Sequence, residues 1–178
     1  MTELDALLDQ LVRSIPDWPV AGVTFRDITP LLADPRGIPA VVDGLIAAMA
    51  AAQLTGVELV AGVEARGFIL AAPLAAALGV GFVPVRKAGK LPGAVHAQTY
   101  DLEYGSATLE VQAGVLEPAS RVLLVDDVLA TGGTARAATS VLRAAGAVVV
   151  GFAALIELPS LSGRAALAPM PVLRLRTY

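Results

Sequence analysis

The stretch VLLVDDVLATGGTA, at residues 122–135, constrains the fold more than any other part of this chain. It begins with four apolar residues, runs directly into two adjacent acids, Asp126 and Asp127, and continues into a segment of glycines and threonines. A short, continuous apolar run is typical of a strand that helices cover on both faces of a parallel sheet. The sequence therefore predicts a buried strand over 121–125, a loop with few side chains, and a helix over 134–145.

The same alternation of strand and helix recurs along the chain. Apolar patterns predict further strands at 57–63, 82–85, 108–112, 148–156 and 172–175, and helices at 2–15, about 34–53 and 67–78. Strand, helix and strand joined by short links imply right-handed crossovers and a mainly parallel sheet. We expect an α/β fold, a single domain over 1–178 in which helices flank a mainly parallel, twisted sheet.

Composition excludes several classes of function. The formal net charge is −3 and there is no basic run, which argues against nucleic-acid binding. The chain has no cysteine and one histidine, so it offers no disulfide, no thiol nucleophile and no multi-histidine metal site, and it fits the reducing cytoplasm. The N-terminus lacks the pattern of a signal peptide. An uncharged stretch at 67–85 has the length of a membrane span, but Gly79 and Gly81 divide it into a helix and a strand, so we predict no membrane segment.

Ligands of such sheets bind beyond the carboxyl ends of the strands, which directs attention to three loops. In the first, a run of small residues from Ala130 to Thr134 leads into a helix, whose backbone N–H groups attract a phosphate. Asp126 and Asp127 would repel a phosphate but suit the hydroxyl groups of a sugar. A sugar phosphate satisfies both halves of this loop. The alternative is that the two acids merely cap the helix and solvate a turn.

The other two loops carry cations. Arg66 follows the strand at 57–63, and Lys87 and Lys90, the only lysines of the chain, follow the strand at 82–85. These side chains suit a second, more highly charged anion. Alternatives remain open, since Arg66 could pair with Glu64 at the surface and the two lysines could be a solvated loop. Taken together, the three loops predict a ribose that carries a 5-phosphate and a 1-pyrophosphate.

The stretch at 122–135 resembles the phosphoribosyl-pyrophosphate signature of the type I phosphoribosyltransferases. Two further stretches, VTFRDITPLL at 23–32 and LEYG at 102–105, resemble the adenine branch of that family. The resemblance implies the fold of that family, with a small hood over about 1–34 and a flexible closing loop over about 87–107. It also implies a reaction, in which adenine and phosphoribosyl pyrophosphate give AMP and pyrophosphate in purine salvage. A homodimer and Mg²⁺, carried mainly by phosphoribosyl pyrophosphate, are implied as well.

The same resemblance implies roles for the residues that contact the sugar substrate. The 5-phosphate would be cradled by five consecutive residues: Ala130, Thr131, Gly132, Gly133 and Thr134. The ribose hydroxyls would be bound by Asp126 and Asp127. The pyrophosphate would be held by Arg66, Lys87 and Lys90, the two lysines being contributed across the dimer interface. No residue is expected to act as a dedicated metal ligand.

For the base and the chemistry, the resemblance implies a second set of residues. Phe25 and Leu158 would sandwich the adenine ring, and backbone groups near Arg26 would bind its edge. Glu103 and Tyr104, in the closing loop, would lie nearest to the chemical step together with Arg66. His96 is interpreted as a solvated loop residue and Trp18 as a packing residue.

Two alternatives to this function remain. The first is a phosphoribosyltransferase that uses another base, such as xanthine, hypoxanthine or orotate, because the loops that bind the sugar phosphate would look alike. The second is a non-catalytic regulator that senses phosphoribosyl pyrophosphate or a purine. Such a regulator should carry an additional nucleic-acid module, but only 24 residues precede Phe25 and they form no basic patch.

Overall fold

The computed structural model describes residues 2–101 and 106–178, and the chain divides into two units, Met1–Gly44 and Leu45–Tyr178. A long helix, α3, runs from Gly37 to Ala51 and so belongs to both units. The single domain over 1–178, with its hood and closing loop, stays a prediction.

The first unit begins with two short helices and a pair of short strands: α1 (Glu3–Leu11), β1 (Arg13–Ile15), β2 (Phe25–Asp27) and α2 (Thr29–Ala33). Thr2 and Asp5 form a capping box that fixes the start of α1. The predicted continuation of this helix to Ile15 is wrong, because β1 pairs antiparallel with β2. The residues from Arg13 to Ile15 pair with β2 instead, which apolar spacing within the segment alone does not reveal.

The second unit is built on a seven-stranded sheet with the order β5-β6-β4-β3-β7-β8-β9. Its strands are β3 (Leu59–Val63), β4 (Gly81–Lys87), β5 (Val95–Asp101), β6 (Ser106–Gln112), β7 (Arg121–Leu129), β8 (Val148–Glu157) and β9 (Val172–Thr177). Five neighbouring strands are parallel to one another: β4, β3, β7, β8 and β9. Next to β4, strands β6 and then β5 continue the sheet with antiparallel pairing. The predicted α/β fold with a mainly parallel sheet is confirmed.

Two strands of the seven-stranded sheet, β5 and β7, differ from the sequence-based expectation. Strand β5 lies within the polar stretch 86–101, for which no strand was predicted, and it places His96 in a half-buried strand position. Its polarity is that of an edge strand, which natural sheets protect with charged and polar side chains. Strand β7 runs to Leu129 instead of 125, because β8 continues to pair with it as far as Leu129 and Glu157. The acids at 126 and 127 therefore belong to the end of a strand.

Two helices flank the sheet. Helix α5 (Gly133–Ala144) contributes Ala138 and Val141 to a buried cluster that includes Leu124 of β7. Helix α4 (Arg66–Leu78) packs closely on β3, where a Cβ atom on Gly62 would lie 2.8 Å from the Cβ of Ala71. A short 3₁₀ helix (Pro159–Leu161) and α6 (Gly163–Leu167) connect β8 to β9. Among the described residues, no helix combines the length and apolar character needed to cross a membrane.

Candidate active site

Arg66 and Asp127 join the ends of two neighbouring strands. Arg66 is the first residue of α4, just after β3, and its Nε donates a hydrogen bond to Oδ2 of Asp127 near the end of β7. The Asp127 side chain is only 6 % exposed, whereas that of Arg66 is 45 % exposed. The pair thus combines a buried carboxylate with a guanidinium that still reaches solvent. Arg66 and Asp127 are brought together as the sequence predicts for loops at one edge of a parallel sheet.

The close approach of α4 to β7 depends on a glycine. A Cβ atom on Gly67 would lie 2.8 Å from the carbonyl oxygen of Val125 and 3.0 Å from Oδ1 of Asp126. Only a residue without a side chain lets the first turn of α4 lie against this strand end. The pair Arg66-Gly67 therefore places a cation beside the two acids.

The two acids at the end of β7 differ in their electrostatics. Burial first, and then the charge of the adjacent Asp127 carboxylate, raise the pKa of Asp126 well above its usual range. The backbone N–H of Asp127 donates to Oδ1 of Asp126 at 2.9 Å, and Arg66 also favours the charged form, but these effects are smaller. Together the two acids present adjacent carboxyl oxygens at the strand end that can accept hydrogen bonds from hydroxyl groups.

The segment from Ala130 to Thr134 turns the chain from β7 into α5. Gly132 has a φ of +82°, a left-handed conformation that favours glycine, and its carbonyl accepts the first described helical bond, from the N–H of Arg136 at 2.9 Å. Helix α5 starts at Gly133 and has 12 residues, so the N–H groups of its first turn and its positive end are available to an anion. The predicted phosphate loop therefore leads through a left-handed glycine into the N-terminus of a helix.

Tyr100 is a neighbour of this loop that sequence analysis missed. Its hydroxyl lies 3.5 Å from Oγ1 of Thr134, and it sits near the end of β5. Because β5 itself was not predicted, nothing in the sequence placed Tyr100 beside the start of α5. The contact links the antiparallel end of the sheet to the phosphate loop.

Glu64 organises the predicted lysine loop. Its Oε1 contacts Nζ of Lys90 at 2.5 Å, and its Oε2 accepts from the backbone N–H of Lys87 at 3.0 Å and from Nε of Arg86 at 3.3 Å. Burial acts to raise the pKa of Glu64, but the hydrogen bonds from Lys90 and the Lys87 backbone, with the nearby positive charges, lower it overall. Glu64 was considered only as a partner of Arg66. The parallel register, which pairs Val63 with Val85, would have placed it opposite Arg86.

Phe25 and Arg26, predicted to contact the base, lie in β2 of the first unit. The rings of Phe25 and Trp18 meet edge to face with centroids 4.4 Å apart, and Nη1 of Arg26 donates to the hydroxyl of Ser14 on β1. Asp27, the last residue of β2, accepts a hydrogen bond from Nη2 of Arg13 on β1 at 2.6 Å. Hydrogen bonds from Thr29, followed by Arg13, lower its pKa to about 2.

Leu158, the other predicted base contact, lies in the second unit directly after β8. Its backbone N–H donates to the carbonyl of Leu129, the last residue of β7, at 2.9 Å. Leu158 is thus fixed next to the start of the phosphate loop. Glu103 and Tyr104, predicted to lie nearest to the chemical step, fall outside the described residues.

The chemistry of the site fits a magnesium ion that arrives with a phosphorylated substrate. Within residues 2–101 and 106–178, no group of three or more His, Cys, Asp or Glu side chains is arranged to hold a metal ion. Mg²⁺ in phosphate-binding sites usually keeps several waters and takes one or two carboxylates together with substrate oxygens. Asp126 and Asp127 supply such carboxylates beside the phosphate loop.

Comparisons with known proteins agree on one family. Residues 38–165 match the model of the phosphoribosyl transferase domain. The adenine phosphoribosyltransferase of Thermobifida fusca is 53 % identical over 176 residues, which cover 99 % of this chain and 98 % of that protein. The crystal structure of adenine phosphoribosyltransferase from Thermoanaerobacter pseudethanolicus superposes with a TM-score of 0.92 at 40 % identity and covers 98 % of this chain and 99 % of that one.

A second solved structure bears on the ligands. Adenine phosphoribosyltransferase from Saccharomyces cerevisiae, in complex with an imino-altritol bisphosphate and adenine, has a TM-score of 0.92 at 36 % identity. The match covers 99 % of this chain and 100 % of the yeast chain. The similarity therefore extends over the strand ends, the phosphate loop and the segment that carries Leu158.

Proposed function

This chain belongs to the phosphoribosyl transferase domain family, among its adenine phosphoribosyltransferases, and we propose that it transfers the 5-phosphoribosyl group from phosphoribosyl pyrophosphate to adenine. The products are AMP and pyrophosphate, and the reaction serves purine salvage. The observation that carries this function is the end of β7, where the half-buried Asp126, the buried Asp127 and the predicted phosphate loop follow one another beside Arg66. Relatives that use adenine favour this base over xanthine, hypoxanthine or orotate, and favour an enzyme over a regulator.

The sugar phosphate binds along β7 and the start of α5. Backbone N–H groups from Ala130 to Thr134 bind the 5-phosphate, and the positive end of α5 adds to the attraction. Asp126 and Asp127 accept hydrogen bonds from the ribose hydroxyls. Their adjacent positions at the end of β7, directly before the phosphate loop, support this division of the loop between a diol and a phosphate.

The pyrophosphate binds on the side of Arg66, Lys87 and Lys90. During the transfer, the bond between the anomeric carbon and a pyrophosphate oxygen breaks, and a bond from that carbon to a ring nitrogen of adenine forms. Positive charge develops on the ribose while negative charge develops on the leaving group, so three nearby cations lower the barrier by electrostatic stabilisation. The proton of the adenine ring nitrogen must also leave, and Glu103 is the residue that we assign to receive it.

For the base, the family resemblance assigns Phe25 and Leu158 to the two faces of the adenine ring and the backbone near Arg26 to its edge. An aromatic ring on one face and an apolar side chain on the other suit a flat, uncharged purine. Holding adenine in line with the anomeric carbon supplies much of the rate enhancement, because the reacting atoms no longer have to be brought together from solution. Tyr104, like Glu103, is assigned to the segment that closes over the substrates.

Magnesium, a second subunit and the cytoplasm complete the proposal. Bound Mg²⁺ would neutralise charge on the pyrophosphate; it would be carried mainly by oxygens of phosphoribosyl pyrophosphate, with Asp126 and Asp127 as the neighbouring carboxylates. A homodimer would contribute Lys87 and Lys90 of one subunit to the site of its partner. A chain without cysteine is compatible with the cytoplasm, where phosphoribosyl pyrophosphate is available.

A base-selection assay tests the function. The protein is incubated with phosphoribosyl pyrophosphate and Mg²⁺ and with adenine, hypoxanthine, xanthine or orotate in turn, and pyrophosphate release is measured. We expect release with adenine and the formation of AMP. If pyrophosphate were released only with another base, that base and not adenine would be the substrate. If the protein bound phosphoribosyl pyrophosphate but released no pyrophosphate with any base, a non-catalytic regulator would be favoured.

A further inference from the structure

A buried carboxylate at the end of β8 is held by two arginines. The side chain of Glu157 is 7 % exposed, and Arg164 of α6 binds it with both oxygens engaged: Nε to Oε1 at 2.9 Å and Nη2 to Oε2 at 2.6 Å. Nε of Arg174 on β9 lies 3.1 Å from Oε2. The hydrogen bonds from Arg164 lower the pKa of Glu157, although burial opposes them. This geometry is the bidentate pairing that fixes both position and orientation.

The helix that presents Arg164 is itself seated on the phosphate loop. A Cβ atom on Gly163, the first residue of α6, would lie 2.2 Å from the carbonyl oxygen of Ala130. A Cβ atom on Gly132 would in turn lie 2.7 Å from the carbonyl oxygen of Gly163. Two glycines facing each other bring the backbones into direct contact, as neither position can take a side chain. The start of α6, which carries Arg164, therefore cannot shift without moving the phosphate loop.

Leu158 lies in the chain between Glu157, which Arg164 binds, and α6, which packs on the phosphate loop. It follows Glu157 in the chain, its N–H donates to the carbonyl of Leu129, and its own carbonyl accepts from the N–H of Leu161 at 3.0 Å. Arg164 also donates from Nη1 to the carbonyl of Val172 at 2.9 Å, which closes the segment between β8 and β9. The position of Leu158 is thus set by Glu157 on one side and by the 3₁₀ helix on the other.

We propose that Arg164 is a positioning residue for the base: through Glu157 it holds Leu158 at the distance from the phosphate loop that adenine requires. This inference rests on the proposed function, in which Leu158 covers one face of the purine. It assigns a role in recognition to the C-terminal segment, where the sequence offers no motif.

A role in recognition and a role in stability alone make different predictions. Loss of a tie that only stabilises the fold lowers the melting temperature and the amount of active protein, but it leaves the KM values of the two substrates unchanged. Loss of a tie that positions Leu158 raises the KM for adenine more than the KM for phosphoribosyl pyrophosphate. The ratio of the two KM values separates these roles without reference to the total activity.

The chain offers a matched control at the amino ends of the parallel strands, opposite the predicted site. Arg121, the first residue of β7, donates from Nε to the carbonyl of Gly56 at 2.8 Å and from Nη2 to that of Thr55 at 3.1 Å. Like Arg164 it ties a loop to a strand end, but it does so at the amino end of the parallel strands, away from the predicted site. Arg121→Ala therefore measures the effect of losing such a tie on the fold alone.

The experiment compares wild type, Arg164→Ala, Arg164→Lys, Arg174→Ala and Arg121→Ala by steady-state kinetics and thermal melting. For Arg164→Ala we expect the KM for adenine to rise about tenfold, within the hundredfold that a displacement of about 1 Å can cost, with a smaller rise in the KM for phosphoribosyl pyrophosphate. Arg164→Lys retains the charge and should recover part of the loss. Arg174→Ala leaves the bidentate pair in place and should raise the KM for adenine less.

The outcomes are distinct. If Arg164→Ala folds poorly, the same preferential rise in the KM for adenine must appear in Arg164→Lys or Arg174→Ala. The inference is overturned if all the folded Arg164 and Arg174 variants keep the wild-type KM for adenine, or if Arg121→Ala changes the ratio of the two KM values equally. Wild type without activity on adenine would overturn the proposed function as well, whereas an active wild type with insensitive variants overturns only the positioning role.

Discussion

The ends of β3 and β7 lie side by side in the sheet, and both carry carboxylates, but their environments are opposite. Glu64, after β3, is bound by Lys90, by Arg86 and by the backbone of Lys87, and its pKa is lowered. Asp126, at the end of β7, is buried beside another acid, and its pKa is raised. The comparison teaches that neighbouring strand ends can differ in electrostatics: Glu64 is bound by several cations and serves as an internal tie, whereas Asp126 lies beside a second acid, and in our proposal this pair of acids is the ligand site.

Sheet order decides between these two outcomes. Strand β3 has β4 on one side, and β4 ends in the cations that bind Glu64. Strand β7 has β8 on its other side, and β8 ends in Glu157, which is itself bound by Arg164 and Arg174. The acids that follow or end the two strands beside β7, Glu64 at β3 and Glu157 at β8, are thus paired with nearby arginines and lysines. The acids of β7 are left with Arg66, and in our proposal they bind the ribose hydroxyls.

The largest effect is expected from removing both charges at the end of β7. The double variant Asp126→Asn with Asp127→Asn keeps the shape of the side chains but loses two charged hydrogen-bond acceptors for the ribose hydroxyls. Each such bond is worth about 1.5 kcal/mol and about 1.4 kcal/mol is a factor of ten, so we expect the KM for phosphoribosyl pyrophosphate to rise about a hundredfold. Steady-state kinetics at saturating adenine measure this change.

Glu58→Gln supplies the control for the double variant. Glu58 accepts from the N–H of Arg121 at 2.8 Å at the amino end of the sheet, so it is a carboxylate of the same sheet far along the strands from the predicted site. Its substitution should leave the KM for phosphoribosyl pyrophosphate unchanged. An unchanged KM in the double variant would contradict the assignment of the two acids to the ribose.

A smaller effect, and on a different quantity, is expected at the end of β3. Glu64→Gln removes the charge that binds Lys90 and Arg86 but keeps an oxygen for the N–H of Lys87. We expect the free energy of unfolding to fall by about 1–2 kcal/mol, as for the loss of a charge-assisted hydrogen bond, and urea denaturation measures it. The KM for phosphoribosyl pyrophosphate should change far less than in the double variant.

This variant can break the comparison. If Glu64→Gln raised the KM for phosphoribosyl pyrophosphate as much as the double substitution at 126 and 127 does, Glu64 would act on the ligand site, either directly or through Lys90. The division of strand ends into ties and ligand sites would then be wrong.

The mainly parallel sheet, and the grouping of three loops at the carboxyl ends of its strands, could be predicted from sequence. Buried strands that end on chemically distinctive residues place those residues at one edge of the sheet, which the Arg66–Asp127 contact bears out. The extent of β7 could not be predicted, because Asp126 and Asp127 interrupt the apolar run while β8 continues to pair with them. Apolar periodicity records burial, whereas the end of a strand depends on its partner.

The ties to Glu64 and Glu157 were beyond sequence analysis for a related reason. Arg164 is seven residues from Glu157, in a segment with no periodic pattern, and Lys90 is 26 residues from Glu64. Which cation meets which acid depends on the register between strands and on the course of the loops. A composition with 11 arginines leaves many pairings open, and only the folded backbone selects among them.

The smallest and most specific effect is the pH dependence of stability, where the two strand ends should have opposite signs. The pKa of Asp126 is raised from its usual value of 3.8, so the folded state keeps this proton at pH values where the unfolded chain has lost it, and the free energy of unfolding falls as the pH rises above about 3.8. The pKa of Glu64 is lowered from 4.5, so its contribution is fully present above about 4.5 and is lost as the pH falls through the lowered value.

Urea denaturation of wild type, Asp126→Asn and Glu64→Gln between pH 4 and pH 7 separates the two signs. Relative to wild type, Asp126→Asn should gain stability as the pH rises, because the variant has no buried acid to ionise. Glu64→Gln should be less stable than wild type near pH 7 and approach it toward pH 4, where the unfolded wild-type chain begins to take up a proton that the folded state still excludes. Parallel curves for the two variants would mean that the two carboxylates have the same environment, since only opposite shifts of pKa produce differences that diverge with pH.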